Sequence, residues 1–309
     1  MKYGLTFIIF VFLSGCGQQT SQTTDSNKED TLFHKVVFLD KYYTDFLTTV
    51  KSDFQNRDKI YAEKIKDAII KDHFSNAEYP DFVSENFSHP IADTSGLTIF
   101  IADLKAHKNE IEKIISSAFN LCNKHLKNNN VTFYIIPLSS DDKEIINKMG
   151  GVTGLTIGSK QIFLTIDFTI NSWQEVLEYA VAHEFNHSYH FSISSNALLE
   201  FTLLRNLISE GMADSFAHLL YPKVSVPWTS ALSNKEKAEL WSKIKPDLQS
   251  DDPTLLNSVM FGSKDYPIWG GYTLGYDIIQ TVSKNRPDFF KTKLTISDDK
   301  QILELSDYK

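Results

Sequence analysis

The segment Ser172–Phe191 reads SWQEVLEYAVAHEFNHSYHF and predicts the central helix of the fold. Ser172 opens it with an S-x-x-E pattern, which has the form of a capping box and predicts that the helix begins here. Residues at steps of four, three and four share one face of that helix, and they are Val176, Ala180, His183 and His187. A core stripe does not normally end in two histidines unless something binds them.

The same segment contains an H-E-x-x-H motif, His183-Glu184-Phe185-Asn186-His187. Two imidazoles one helical turn apart can direct a ring nitrogen at one tetrahedral ion. The carboxylate between them projects beside the metal, where it can take a proton from zinc-bound water. The motif therefore predicts one Zn²⁺ held by His183 and His187, with Glu184 as general base. The alternative is coincidence, since nine histidines in 309 residues produce the pattern in about one such chain per hundred.

A third metal ligand is predicted on the next helix, where an apolar stripe is interrupted by two carboxylates. Its residues are Leu203, Leu207, Glu210, Asp214 and Ala217. Buried carboxylates need a cation or a hydrogen-bond donor. Glu210 is thus predicted to bind the ion, and Asp214 to accept the other ring N–H of a ligand histidine. The 23 residues from His187 to Glu210 (210 − 187) leave room for a turn near Ser192–Asn196 and an antiparallel return. The alternative for Glu210 is an ordinary residue on the helix surface.

His190 is a rival third ligand, because it lies seven residues after His183 and near the same face. A metzincin places its third histidine six residues after the second, and that position is Ile193 here. His190 is therefore predicted to pack against the site or to support a ligand without binding the metal.

Two tyrosines one helical turn apart, Tyr272 and Tyr276, lie in the Gly-rich segment Gly270–Tyr276. A tyrosine hydroxyl can stabilise the oxyanion opposite the metal, so both are candidate catalytic residues. The alternative is aromatic packing with a close backbone approach at the glycines.

These motifs together resemble a known family. H-E-x-x-H followed one helix later by E-x-x-x-D is the gluzincin pattern, thermolysin-like in its ligands. The stretch Ser209–Asp214 (SEGMAD) is similar to a bacterial family of predicted Zn-dependent proteases of unknown function. The resemblance runs from about Gly150 to Gln280 and includes GGVTGLTIGSKQIFLTID before the zinc helix and GGYTLGY after it. It implies a peptidase with His183, His187 and Glu210 as ligands, Glu184 as base and Asp214 supporting a ligand histidine.

The predicted fold class is α+β and mainly helical, zincin-like, with a small mixed sheet beside the H-E-x-x-H helix and a following Glu-bearing helix. Predicted helices are Leu39–Asn56, Asp58–Asp72 and His107–Leu126, and predicted strands are Leu97–Ala102, Val131–Pro137 and Gln161–Asp167, with Gly150–Gly158 extended. In zincins a strand before the zinc helix lies at the sheet edge and binds extended peptide, a role that the resemblance implies for Gln161–Asp167. The alternative is a plain structural strand. One domain is predicted over 31–309, with a helical N-terminal portion at 31–127 and the zincin core at 128–309.

The N-terminus predicts export. Gly4–Leu13 is an apolar run of signal-peptide length, and it ends in Leu13-Ser14-Gly15-Cys16, which resembles the lipobox of bacterial lipoproteins. Residues 1–15 are predicted to be the signal peptide, Cys16 the lipidated residue and 16–30 a flexible tether. The protein is then lipid-anchored in the bacterial cell envelope; the alternative is an ordinary secretory signal with a chance cysteine. The other cysteine, Cys122, has no partner left and is predicted to be a buried apolar residue.

Composition excludes some partners. The formal net charge is −8 and no basic run stands out, which argues against nucleic acid and against attraction to an anionic membrane other than through the lipid anchor. The predicted function is therefore hydrolysis of peptide bonds in peptides or proteins by zinc-activated water. Two rivals are a zinc hydrolase of a non-peptide amide or ester, and a non-catalytic surface lipoprotein that retains zinc and binds a partner.

Overall fold

The computed structural model describes residues 33–193, 201–287 and 298–308. The predicted signal peptide at 1–15 and the whole predicted tether at 16–30 with Cys16 lie outside these residues, as does most of the predicted turn near Ser192–Asn196. Among the helices of the described ranges, not one is both long and apolar enough to cross a membrane.

Four strands of the described chain form one mixed sheet in the order β1-β2-β4-β3. They are β1 (His34–Phe38), β2 (Val131–Ile136), β3 (Val152–Thr156) and β4 (Gln161–Ile166). β1, β2 and β4 run parallel, and β3 pairs antiparallel with β4. The small mixed sheet and the two strands predicted as Val131–Pro137 and Gln161–Asp167 are confirmed, and β3 falls within the predicted extended segment. β1 was not predicted, and it brings the N-terminal portion into the same sheet as the segment before the H-E-x-x-H helix.

The prediction that Gln161–Asp167 is an edge strand is wrong. β4 lies between β2 and β3 and is hydrogen-bonded on both sides. The outer strand on this side is β3, because the antiparallel pairing at the turn Gly158-Ser159 folds β3 back along β4. Any main-chain recognition at this end of the sheet therefore belongs to Val152–Thr156.

Helices dominate the rest of the described residues, which confirms a mainly helical α+β fold. They are α1 (Asp40–Val50), α2 (Arg57–Tyr61), a π-helical turn (Ala62–Lys66), α3 (Asp67–His73), α4 (Pro80–Asn86), α5 (Leu97–Cys122), α6 (Lys143–Lys148), α7 (Trp173–Ile193), α8 (Leu203–Leu220), α9 (Asn234–Ile244), α10 (Pro253–Phe261), α11 (Gly270–Asn285) and α12 (Asp299–Leu305). The predicted helices at Leu39–Asn56, Asp58–Asp72 and His107–Leu126 fall on α1, on the run from α2 to α3 and on α5.

The strand predicted at Leu97–Ala102 is wrong, because these residues begin the long helix α5. Leu97, Ile101 and Leu104 are buried at steps of four and three, whereas Ile99 is 62% exposed. A strand would put residues 97, 99 and 101 on one face. The burial therefore follows the helical period, which a short and mostly apolar run does not reveal by itself.

The sheet is covered on both faces. Side chains of β2 and β4 that include Phe133, Ile135 and Leu164 point into a core shared with α5 and α7. Their neighbours Tyr134 and Phe163 point the other way into a second core, built by the N-terminal helices. This alternation is the normal consequence of strand geometry. The N-terminal helices are thus a packed layer on the sheet face opposite to α7.

Two glycines let α8 and α11 cross very closely. A Cβ atom on Gly211 would lie 2.1 Å from the carbonyl oxygen of Gly275, and one on Gly275 would lie 2.1 Å from the carbonyl oxygen of Leu207. Both distances are impossible for a real side chain, so each position requires glycine. The close crossing brings the first turns of α11, with Tyr272, against the helix that carries Glu210 and Asp214.

Candidate metal centre

The H-E-x-x-H motif lies in the middle of α7, as predicted. α7 packs against α5, α8, β3 and β4, so most of its faces are covered. The side chains of His183 and Glu184 are buried, and that of His187 is partly buried. α8 returns antiparallel to α7. Tyr179 and His183 contact Asp214, whereas His187, farther along α7, contacts the earlier residue Ser209 of α8.

Three predicted ligand side chains converge at one point between α7 and α8. The Nε2 atoms of His183 and His187 are 3.1 Å apart. Glu210 places Oε2 at 3.2 Å from His183 Nε2 and Oε1 at 3.6 Å from His187 Nε2. Ligands at the usual zinc–nitrogen distance on a tetrahedron are about 3.3 Å from one another. The spacing of the three side chains therefore fits a zinc ion. They form the cluster of possible metal ligands found in the described residues.

Asp214 lies behind the first imidazole and is fully buried. Its Oδ1 accepts the Nδ1–H of His183 at 2.9 Å, the indole N–H of Trp228 at 2.9 Å and the hydroxyl of Tyr179 at 3.1 Å. Donation from Nδ1 fixes the tautomer in which Nε2 carries the lone pair that a metal needs. The structure therefore places Asp214 against the ring of His183, and its support of a metal ligand stays a prediction.

Electrostatics within the cluster match this geometry. Burial lowers the pKa of His183, but the carboxylates of Asp214 and Glu210 outweigh burial and hold that pKa well above its ordinary value. Burial raises the pKa of Glu210, but the adjacent imidazoles of His187 and His183 hold it well below its ordinary value. The two shifts have opposite directions because the imidazole and the carboxylate each favour the charged form of the other.

The second imidazole is supported by a hydroxyl, and His190 stands apart. Ser209 Oγ lies 3.3 Å from His187 Nδ1. His190 is not part of the three-residue cluster. Burial, with smaller contributions from the charges of His187 and Arg205, lowers the pKa of His190 to about 3. His190 is therefore a neutral, partly buried side chain outside the three-residue cluster, and its supporting role stays a prediction.

Glu184 faces β3 and is held by it. The Thr156 hydroxyl lies 2.7 Å from Glu184 Oε2 and 2.9 Å from the main-chain oxygen of the same residue. Gly154 packs directly against the glutamate, since a Cβ there would lie 2.4 Å from Glu184 Cγ. The Glu184 carboxylate is thereby held against β3 by a hydrogen bond from Thr156 and by close packing against Gly154.

The two candidate tyrosines differ in their surroundings. Burial, followed by the charges of Glu210, Asp214 and Glu184, raises the pKa of Tyr272 well above its ordinary value. Burial and the charges of Asp214 and Asp277 raise the pKa of Tyr276, whose ring contacts His218 at 6.0 Å. Both phenols keep their protons at neutral pH. The charge of Asp214 acts on both tyrosines, whereas the charges of Glu210 and Glu184 raise the pKa of Tyr272.

Sequence reasoning missed five residues that support the site: Gly154, Thr156, Tyr179, Ser209 and Trp228. Thr156 and Gly154 belong to the Gly-rich stretch noted before α7, but the contact with Glu184 depends on the β3–β4 register. Trp228 lies in a short 3₁₀ helix, Pro227–Ser230, for which the sequence gives no signal. Tyr179 precedes His183 by one turn of α7, so its position on the motif face was the one available signal.

A helix-borne imidazole pair facing a carboxylate on an antiparallel helix is a set of donors that could hold one zinc ion. Comparison with known families agrees. The model of the family described as "Predicted Zn-dependent protease (DUF2268)" matches residues 111–304, which is 194 of 309 residues (304 − 111 + 1), and the chain belongs to that family. The match is wider than the resemblance from Gly150 to Gln280, because it begins within α5 and ends within α12. Searches of curated proteins and of solved structures gave no match.

Proposed function

We propose that this protein is a gluzincin-type zinc metallopeptidase that hydrolyses peptide bonds with zinc-activated water, with His183, His187 and Glu210 as the metal ligands. The observation that carries the proposal is the convergence of these three side chains at zinc-ligand spacing, with one imidazole oriented by the buried Asp214. A bound zinc ion supplies Lewis acidity, which polarises a carbonyl and lowers the pKa of water toward about 7.

In this proposal, each side chain around the cluster has one task. Glu184 accepts the proton of the attacking water and passes it to the leaving amine, as general base and then general acid. Asp214 keeps His183 in the tautomer that binds metal. Tyr272 is the favoured donor to the developing oxyanion, because the charges of Glu210 and Glu184 help to raise the pKa of its phenol and keep it protonated. Tyr276 is the less favoured candidate for that task.

The peptide nature of the substrate is supported by β3. Within the described residues, β3 is the last strand of the sheet, and no other strand pairs with its outer side. It packs against α7 and contacts Glu184 through Gly154 and Thr156. An extended peptide that paired with this edge would be held by main-chain hydrogen bonds near the general base.

The non-catalytic rival requires a closed metal site, since structural zinc sites usually have four protein ligands. The cluster in the described residues has three, and His190 is not among them. This favours a site with one position left for water and substrate. The other rival, hydrolysis of a non-peptide amide or ester, uses the same residues and is separated by substrate profiling.

We further propose that the protein is anchored in the bacterial cell envelope by lipid on Cys16. The support is the sequence alone: the apolar run Gly4–Leu13 and the small residues directly before Cys16. Labelling of producing cells with a tritiated fatty acid tests the proposal. Incorporation that disappears in Cys16→Ala supports it, and equal incorporation in both proteins contradicts it.

The proposed activity is tested on the purified domain from residue 31 onward by metal analysis and a peptide-library digest, each with and without a chelator. About one zinc per chain and chelator-sensitive cleavage are expected. Glu184→Gln is expected to keep zinc and to lose about 10²- to 10⁴-fold in kcat, the usual contribution of a general base. Cleavage by Glu184→Gln at the wild-type rate would show that the proposed base is wrong. Absence of zinc from the wild-type protein would contradict the whole proposal.

A further inference from the structure

The strand β3 makes a specific polar contact with the proposed general base. Thr156 Oγ1 lies 2.7 Å from Glu184 Oε2 and 2.9 Å from the main-chain oxygen of Glu184. Both atoms of Glu184 are acceptors when the carboxylate is ionised, so the threonine hydroxyl is the donor. A hydroxyl has one proton, and the shorter bond to a charged acceptor is the stronger one. The main hydrogen bond of the Thr156 hydroxyl is therefore the one to the carboxylate, and the main-chain oxygen is the weaker acceptor.

The other side of the same carboxylate is limited by space. A Cβ on Gly154 would lie 2.4 Å from Glu184 Cγ and 2.5 Å from Glu184 Oε1. Gly154 and Thr156 are two residues apart and therefore on the same face of β3, the face whose neighbour Val152 lies in the core shared with α7. The strand thus provides a slot for the glutamate side chain, with a hydroxyl at one end of it.

The slot is rigid because its strand is paired along its length. Gly154 pairs with Leu164 and Thr156 with Ile162 on the central strand β4, which is itself paired with β2. A side chain held from a paired strand keeps its orientation better than one held from a loop. Glu184 is on a helix and its partner is on the sheet, so the contact fixes the carboxylate relative to two independent elements.

We infer that Thr156 is a positioning residue for the reaction: its hydroxyl holds the Glu184 carboxylate in the orientation from which it accepts the proton of the attacking water. This inference rests on the proposed peptidase function. It adds a residue of the hairpin before the zinc helix to the groups on which turnover depends, although Thr156 does not touch the reacting atoms.

Three variants test it. Thr156→Val removes the hydroxyl and keeps the β-branched shape, and it is expected to lower kcat by about 10- to 100-fold with KM changed by less than about threefold, the scale of a misplaced catalytic group. Thr156→Ser keeps the hydroxyl and is expected to restore most of kcat. Thr165→Val removes a hydroxyl from the central strand β4, on the face that Thr165 shares with Phe163 and that points away from α7, and it is expected to leave kcat unchanged.

Zinc content, melting temperature and crystal structures of the zinc-loaded proteins complete the test. All three variants are expected to bind zinc as wild type does. The Glu184 carboxylate is expected to leave its wild-type position in Thr156→Val and to keep it in Thr156→Ser. An unmoved carboxylate with wild-type kcat in Thr156→Val overturns the inference, as does equal damage by Thr156→Ser and Thr156→Val.

The structural result also separates the inference from the proposed function. If the wild-type protein cleaves no peptide, the function proposal fails, and the position of Glu184 in the variants still decides whether Thr156 orients it. If the wild-type protein cleaves peptides and Thr156→Val matches it in both kcat and structure, the inference alone fails.

Discussion

The two faces of the sheet are packed against side chains of different kinds. On the α7 face, ionisable groups are buried together: His183, Glu184 and Asp214 are each less than a tenth exposed. On the opposite face, the N-terminal helices pack aromatic rings, such as Phe74 against Tyr134 and Phe163 at 4.6 and 5.4 Å between centroids. Aromatic burial stabilises a fold directly, whereas buried ionisable groups are unfavourable unless they are paired. Among the described residues, the candidate metal centre therefore lies on the α7 face, whereas apolar packing stabilises both faces.

This division predicts that substitutions on the two faces separate into distinct classes. Those on the α7 face should change zinc affinity out of proportion to stability. Those on the N-terminal face should change stability and leave zinc affinity nearly untouched. The following predictions are ordered by their expected effect on zinc affinity.

Glu210→Ala is expected to have the largest effect. It removes the one carboxylate of the ligand set and leaves the two imidazoles 3.1 Å apart without their counter-charge. Zinc affinity should fall by more than about 100-fold, beyond the loss typical of residues that only support a ligand. Competition titration with a chromogenic chelator measures it. Glu239→Ala, an exposed glutamate paired only with Lys235, is the matched control. Equal affinity of Glu210→Ala and the control would remove Glu210 from the ligand set.

Asp214→Asn is expected to have the next largest effect. The amide keeps the size of the side chain but weakens the acceptor that orients His183 through the 2.9 Å bond to Nδ1. A loss of about 10- to 100-fold in zinc affinity or activity is typical of such a change. The same titration measures it, with the exposed Asp45→Asn in the N-terminal layer as control. Wild-type affinity in Asp214→Asn would show that the hydrogen bond is structural and unrelated to the metal.

Zinc affinity is also expected to rise with pH, by about tenfold per pH unit while one proton is released on binding. The cause is His183, whose pKa in the metal-free protein is held well above its ordinary value once the nearby carboxylates outweigh burial. The same raised pKa stabilises the metal-free protein. This stabilisation is complete below the pKa that the histidine has in the unfolded chain, and it is lost as pH rises through the pKa in the folded protein. Calorimetry in buffers of different ionisation heat counts the released protons. A pH-independent affinity across the neutral range would contradict this assignment.

Phe74→Ala is expected to leave zinc affinity within about twofold of wild type, because distant sites act independently. It should lower the free energy of unfolding by about 3–5 kcal/mol, the usual result of truncating a buried phenylalanine. Phe185→Ala is the matched truncation inside the motif helix, where Phe185 is fully buried against Phe119 at 5.7 Å between ring centroids. It should reduce both quantities. A similar decrease in zinc affinity in the two variants would show that the two faces do not differ in this way.

Much of the α7 face could be predicted because its signals are local. The steps of three and four that lead to His183 and His187, and to Glu210 and Asp214, predict two helices with polar groups on their buried faces. The structure has both helices and brings these side chains together. The strands β2 and β4 were predictable for the same reason, since each is a continuous apolar run bounded by polar or turn residues.

What could not be predicted depends on contacts between distant residues. β1 is five residues long and carries too few residues for a period to be recognised. Whether β4 is central or at the edge depends on which strands pair with it, and no feature of Gln161–Asp167 records that. The contact of Thr156 with Glu184 spans 28 residues and exists because the β3–β4 turn folds β3 against α7. Tertiary packing, and not local preference, decided each of these.

The division between the two faces depends on one metal ion lying between α7 and α8. A crystal structure of the zinc-loaded protein, with anomalous scattering recorded on both sides of the zinc absorption edge, tests this directly. The predicted result is a single zinc peak bonded by His183 Nε2, His187 Nε2 and the Glu210 carboxylate, with the remaining position occupied by a group that is not part of the protein. A zinc peak elsewhere, or one completed by a fourth protein side chain, would contradict it.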